Sequence, residues 1–316
     1  MDLDSIPPGS DELFRRTALK DAGFSDAEID QMRRSGLLVA VRRGVYRRAD
    51  AAELASTDAH VLRCRAVIPS LSPDAVFRHV TAAILLGLPL WLVPLDRLHV
   101  IRDRPGGGRL RPGLHVHTAP LPDDDVVQLD GIRLTSAART VADLARTLPT
   151  EQALIAADGA LHRAVKARRA NRHDPGATTK DEATAVLARF AGRRGSAAAG
   201  RLVASADPLC ESPGETRSRY RMHLAGLPPP VTQWIVPGTG HRTDFAWPEL
   251  GVVGEFDGRI KYTRGLLRPG ETLEEVVWRE KRREDEIRDT GRTVVRWVWS
   301  EIGEAMIARL RPRLVG

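Results

Sequence analysis

The chain has 316 residues, 42% of them hydrophobic, with a formal net charge of +7 and a pI near 10.0. That size and apolar content exclude a disordered chain and predict two or three domains with substantial cores. The basic balance predicts an anionic partner, with nucleic acid ahead of a membrane surface because no basic amphipathic helix stands out. The longest apolar stretch, Thr81 to Val93, contains Gly87 and Pro89 and is too short and interrupted to span a bilayer. The start, Met1-Asp2-Leu3-Asp4, lacks the basic and apolar regions of a secretory signal. Two cysteines, Cys64 and Cys210, make no disulfide framework, so a reducing cytoplasm is the expected location.

The first fifty residues carry helix-turn-helix punctuation. Leu13-Phe14 and Ala18-Leu19 lie on short helical patterns that Gly23 breaks, and Ser25-Asp26-Ala27-Glu28 is a capping box opening a helix that runs to Gly36. Leu37 to Val41 and Val45 to Arg47 read as two strands around the basic turn Arg42-Arg43-Gly44, a wing. Between Gln31 and Ala49 stand Arg33, Arg34, Arg42, Arg43, Arg47 and Arg48 with no acid among them. The Gly36-Leu37-Leu38 to Arg43-Gly44-Val45-Tyr46 segment resembles the winged-helix N-terminus of AbiEi-like antitoxins of type IV toxin–antitoxin systems. That resemblance implies DNA binding, with the helix in the major groove and the wing arginines on phosphates.

In the middle region, Ser72-Pro73-Asp74 is expected to open a helix through Phe77, Val80, Ala83 and Leu86 that stops at Gly87. Leu98 to Ile101, Leu114 to His117, Val126 to Gln128 and Ile132 to Leu134 read as strands, and Thr135 to Leu144 starts a helix. His115 and His117 share a strand face, but no further Cys or His stands at zinc-site spacing, so the pair is read as an exposed strand face. Pro105-Gly106-Gly107-Gly108 lacks the Gly-Lys-Ser/Thr ending of a phosphate loop. With Arg102, Arg104, Arg109 and Arg111 around it, it reads as a second basic finger for DNA. A helix from Glu151 to Ala170 follows, becoming basic at Lys166-Ala167-Arg168-Arg169, then the polar segment Asn171 to Thr179, the best linker candidate.

The C-terminal third carries the most specific pattern. Ser212-Pro213 with Glu215 signals a helix start, and Pro228-Pro229-Pro230 follows its end. Arg242 to Trp247 and Val252 to Gly258 are two short β-forming runs joined by Pro248-Glu249-Leu250-Gly251, a tight hairpin connection. Alternation puts Glu255 and Asp257 on one strand face, and Asp244 joins them if the strands pair. Carboxylates so gathered suit a hard divalent cation. Lys261 stands just beyond, in a chain whose lysines are only Lys20, Lys166, Lys180, Lys261 and Lys281, and an amine differs from guanidinium in its tunable pKa. Glu271 to Thr290 is a charged helix ending at Gly291, and Val294 to Trp299 reads as a strand buried on both faces. From about Leu209 to Glu301 the order of these pieces resembles the PD-(D/E)XK nuclease superfamily, closest to very-short-patch-repair-like endonuclease domains. The superfamily's usual Lys, two residues after the Glu, is Asp257 here: either Lys261 is a migrated substitute or the site has lost catalysis and kept the fold.

The expected fold is therefore a multidomain α/β (α+β) chain. It comprises a winged helix over 1–50, a mixed α/β domain over 55–170, a linker and helix over 171–200, and a restriction-endonuclease-like α/β domain over 201–316. The resemblance implies Mg²⁺- or Mn²⁺-dependent hydrolysis of DNA phosphodiesters. Asp244 and Glu255 would hold the metal, Asp257 or Glu215 would complete the shell or position water, and Lys261 would stabilise the developing charge or orient the nucleophile. The alternative is a non-catalytic regulator or antitoxin that keeps the nuclease fold as a platform. The expected partners are DNA and, in the alternative, a cognate toxin protein, with a homodimer allowed and no membrane.

Overall fold

The computed structural model describes residues 13–49, 54–258 and 272–315, folded as a multidomain α/β protein. Lys261 lies outside the described residues. The chain forms two compact units, and it passes from the first to the second between Thr140 and Val141. The short excursion Leu88–Leu92 also belongs to the second.

The first unit opens with β1 (Phe14–Arg15), α1 (Arg16–Asp21), α2 (Asp26–Arg34), β2 (Leu38–Arg42) and β3 (Val45–Arg48), whose strands pair in the order β1-β3-β2. Both halves of the Ser25/Glu28 capping box are formed, satisfying N–H groups that the first turn of α2 leaves orphaned. Phe14 pairs with Tyr46 as a strand residue rather than continuing a helix. Its ring, with Leu19, Ile29 and Leu38, fills a small core beneath the hairpin. Gly44 turns that hairpin at φ +76°, a conformation most side chains avoid.

There follow α3 (Ser56–Val67), β4 (Val76–Phe77), α4 (His79–Leu85), β5 (Leu98–Arg102), β6 (Arg109–Arg111), β7 (Leu114–Thr118), β8 (Val126–Leu129) and β9 (Ile132–Thr135). The six strands order as β6-β7-β5-β4-β9-β8, with β5/β7 and β4/β9 parallel. Here the helix expected from Ser72 is corrected. Ser72 to Ala75 is a turn, and Val76 and Phe77 are buried as a short strand between β5 and β9; α4 starts only at His79. Tertiary pairing overrode the helical spacing.

In the second unit α5 (Ala137–Thr147), which begins in the first, leads to α6 (Thr150–Arg169), α7 (Lys180–Ala188), α8 (Ser196–Ser205) and α9 (Pro213–Leu224). A sheet follows from β10 (Val231–Ile235), β11 (Arg242–Trp247), β12 (Val252–Asp257) and β13 (Thr293–Val298), with α10 (Leu273–Asp289) before β13 and α11 (Glu304–Leu314) after it. The first three strands form an antiparallel meander, and β13 joins β12 in parallel after the α10 crossover. One face packs Phe245, Phe256 and Trp297 against Met222 of α9 and Met306 and Leu310 of α11; the other packs Ala246 and Val253 against Ile287 of α10. The prediction that Val294 to Trp299 is buried on both faces is corrected. Among the described residues β13 is an edge strand, with Val295 and Trp297 buried, Val294 and Val298 half-buried, and Trp299 beyond the strand. Helix α6 is pinned to α9 by the fully buried Asp158, which accepts from Thr216 Oγ1 and the Arg219 guanidinium, each at 2.9 Å.

Candidate active site and basic groove

The acidic residues of the second unit sit where three elements meet. Ser212 caps α9 by accepting from the Glu215 N–H at 3.2 Å, and Pro213 occupies the first turn, as the sequence signalled. Gly214 makes room for Phe256: a Cβ there would lie 2.0 Å from the Phe256 ring. This close approach seats the start of α9 over the end of β12. Glu215, buried at 6% exposure, accepts from Ser212 Oγ at 2.6 Å, from the Glu211 N–H at 2.9 Å and from Gln233 Nε2 at 2.9 Å. Burial pushes its carboxyl up, against the pull of those donors. Gln233 itself adopts φ +51° inside β10, an uncommon conformation for a residue with a side chain.

Asp244 on β11 accepts the Phe256 N–H at 2.8 Å, beyond the last backbone pairing of the two strands at Phe245 and Gly254. Glu255 neighbours it on β12 and is 5% exposed. Burial raises its carboxyl, and the Arg283 guanidinium from α10 opposes that rise by holding both oxygens, at 2.7 and 3.0 Å. Asp257 is engaged differently. It forms a two-pronged pair with Arg296 of β13 at 2.7 and 2.8 Å, and Arg296 also reaches Glu284 at 2.9 Å.

A cavity of about 960 Å³ joins Glu215, Asp244 and Glu255 with Glu211, Glu280, Arg242 and Arg283. Asp257 does not line it. Trp91 and Trp299 form part of its wall, edge-to-face at 6.3 Å, with Arg217 stacked 3.7 Å over Trp91. Sequence reasoning thus found three carboxylates and missed Gln233, Arg283 and the two tryptophans. Only Arg283 carried a signal, as part of the basic stretch Lys281-Arg282-Arg283.

The arginines of the first unit divide as well. Arg33 pairs with Asp30 at 3.2 Å, Arg34 bonds the Asp30 carbonyl, and Arg47 reaches the Arg48 carbonyl. Arg42 turns inward, donating to Ser70 Oγ at 2.7 Å and to the Ala66 carbonyl at 3.2 Å. Arg43 and Arg42 nevertheless line a groove of about 610 Å³ with Arg102, Arg104, Arg109 and Arg111, so the wing and the glycine-rich finger converge. Arg102 is neutralised by Asp74 at 2.8 Å.

No family model matches the sequence. The two-unit α/β chain with its carboxylate cavity does have relatives in Mycobacterium tuberculosis. The uncharacterized proteins MT2308 of strain CDC 1551 / Oshkosh and Rv2248 of strain ATCC 25618 / H37Rv are each 30% identical to it over 274 residues, 85% of this chain and 88% of theirs. The chain belongs to their family. Among solved structures, the RV2827C protein from Mycobacterium tuberculosis covers 65% of this chain and 74% of its own at 17% identity, with a TM-score of 0.40. Among the described residues no helix is long and apolar enough to cross a membrane.

Proposed function

We propose that the protein binds DNA through its first unit and hydrolyses DNA phosphodiesters in the cavity of its second, as its resemblance to PD-(D/E)XK nucleases implies. The observation that carries the reading is the convergence of Glu215, Asp244 and Glu255 on one cavity from a helix and two paired strands. Their oxygen donors suit Mg²⁺ or Mn²⁺ in kind. Asp244 and Glu255 would hold the ion, which supplies charge neutralisation and an activated water. Glu255 would have to release Arg283 to do so, and the freed guanidinium would then be available to neutralise charge on the phosphate. Glu215, fixed by Ser212 and Gln233, orders the start of α9 beside the reacting group. Asp257 is assigned to the Arg296 pair instead of the metal shell, and Lys261, outside the described residues, keeps the role that the resemblance assigns it. In the first unit, Arg43, Arg104, Arg109 and Arg111 supply the phosphate contacts, with Arg42 shaping the groove.

A second reading is favoured by the same Arg283–Glu255 and Arg296–Asp257 pairs: two of the acids are already neutralised from within, as in a fold kept as a platform. That reading makes the protein a non-catalytic regulator or antitoxin with a toxin partner. Incubation of supercoiled and linear DNA with Mg²⁺ or Mn²⁺ separates the two. The nuclease reading expects cleavage that chelator stops and that Asp244→Asn and Glu255→Gln abolish, with DNA affinity retained. No cleavage of duplex, single-stranded DNA or RNA by the native chain would sink it in favour of the regulator.

A further inference from the structure

One face of the six-stranded sheet gathers imidazoles that stand apart in the sequence. His115 and His117 alternate to the same side of β7. Strand β5 runs parallel beside it with His99 opposite His115 and Ile101 opposite His117, so His99 joins that face. The expectation that His115 and His117 lack a partner is thereby corrected. His99 Nδ1 and His117 Nε2 are 3.1 Å apart, and the His115 and His117 rings stack with centroids at 3.7 Å. One ring nitrogen from each of the three lies within 4.8 Å of the others. Among the described residues this is the group of three or more potential ligand side chains drawn that close; the carboxylates of the second unit are not.

We propose that His99, His115 and His117 form a three-imidazole site for a divalent transition metal of the zinc class, with a fourth position open to an anionic ligand. A tetrahedral ion with Zn–N bonds of about 2.0–2.1 Å separates its nitrogens by roughly 3.3 Å. The His99–His117 pair at 3.1 Å is thus already near ligand spacing, and with one nitrogen of each ring within 4.8 Å of the others the set closes by side-chain rotation. All three rings are half-buried, which shelters the site while leaving a path to solvent. Thr81 Oγ1 accepts the His99 N–H at 2.9 Å and lies 3.0 Å from His60 Nε2, fixing β5 against α4 behind the ligands.

The protonation state suits the role. Burial first, then Arg78 and the neighbouring rings, holds His99 down to about 4 and His117 down to about 3, so both are neutral at pH 7 and able to ligate. Arg78, whose charge acts on all three rings, would favour an anion over a neutral ligand at the fourth position. Imidazole donors select Zn²⁺, Co²⁺ or Ni²⁺ over Mg²⁺, so this site differs in chemistry from the carboxylate cavity and does not depend on the nuclease reading.

The test uses the untagged full chain, stripped with chelator and titrated with Co²⁺, whose visible spectrum reports four-coordinate geometry, then with Zn²⁺ in competition. One Co²⁺ per chain with an intense visible band is expected, displaced by Zn²⁺. His115→Ala and His117→Ala should each weaken binding by on the order of 100-fold or more, and the exposed His223→Ala should leave it unchanged. Zn²⁺ should also raise the melting temperature of the native chain and not that of His115→Ala, a readout that remains if His117→Ala fails to fold. Absence of Co²⁺ and Zn²⁺ binding by the native chain, or undiminished binding by a folded His115→Ala variant, overturns the site.

Discussion

Arg283 of α10 holds both carboxylate oxygens of Glu255 of β12, 28 positions earlier in the chain and the most buried acid of the second unit's cavity. The pair defines a choice. Either Arg283 is a gate that a divalent cation displaces, or it is the permanent counter-ion of a carboxylate that no longer binds metal.

Replacing Arg283 by Met tests that choice. It leaves Glu255 buried without its partner and should destabilise the second unit by about 3 kcal/mol at pH 8. The sign with pH follows from Glu255, whose carboxyl burial already raises and which Arg283 holds back. With the partner gone the folded value rises further, so the loss grows as pH climbs through it and fades in acid, where Glu255 is protonated. Urea titration at pH 5 and pH 8 measures the difference. If the gate reading holds, Mg²⁺ restores stability to Arg283→Met and not to the double variant with Glu255→Gln; equal insensitivity of both to Mg²⁺ marks a permanent counter-ion.

Gly214→Ala should be costly despite its small size. The added Cβ would fall 2.0 Å from the Phe256 ring, which is held in turn by Trp299 at 5.9 Å between ring centroids. Overpacking of this kind costs about 1–3 kcal/mol and would lift the start of α9, with Ser212 and Glu215, off the cavity. Thermal unfolding followed by tryptophan emission reports it directly, because all six tryptophans lie in the second unit. An unchanged midpoint would show that the helix start yields without cost.

What the sequence made legible was local. The Ser25/Glu28 box and the Ser212-Pro213-Gly214-Glu215 start depend on neighbours three residues away, and both formed as read. Alternation placed Asp244 and Glu255 together because the hairpin connection from Pro248 to Gly251 fixes their register. Partners supplied from afar were not legible. Nothing near Asp257 announces Arg296, 39 residues on, and nothing near His115 announces a parallel β5 in register. The allegiance of α6 was hidden for the same reason: Asp158 finds Thr216 and Arg219, 58 and 61 residues later, and carries the helix into the second unit. Residues 171–200, read as linker and helix, begin with a turn and contain α7 and the start of α8 within that unit.

The basic groove makes a graded prediction for DNA binding. Arg109 and Arg111 stand exposed on β6 without a carboxylate partner among the described residues, whereas Arg42 is committed to Ser70 and Ala66. Each phosphate contact removed should reduce the slope of log affinity against log salt by about 0.9. Arg109→Ala with Arg111→Ala should therefore flatten the slope by roughly two, measured by fluorescence anisotropy on a duplex. Arg42→Ala should act more on the stability of the first unit than on the slope. A full slope in the double variant would remove the finger from the interface.

The histidine face predicts how the first unit meets acid. Burial is the largest cause holding His79, His99 and His117 below the ordinary imidazole value, and Arg78 and the neighbouring rings add to it. Asp96 pulls His99 the other way, and His60 acts with the repelling groups. Folded values below unfolded ones mean that the unfolded chain binds more protons in acid, so stability is present above pH ~6.5 and drains as pH falls toward the folded values. With His99 at about 4, its share of the loss at pH 5 is about 2 kcal/mol, since a shift of one unit corresponds to about 1.4 kcal/mol. Far-UV circular dichroism melts of the chelator-stripped chain from pH 7.5 to 4.5, with tryptophan emission as the separate report on the second unit, follow it. The melting temperature of the first unit should fall steeply below pH 6.5. His99→Gln with His117→Gln should flatten that fall, because an amide occupies the site without a proton to take up; a double variant with the native pH profile would place the acid sensitivity elsewhere.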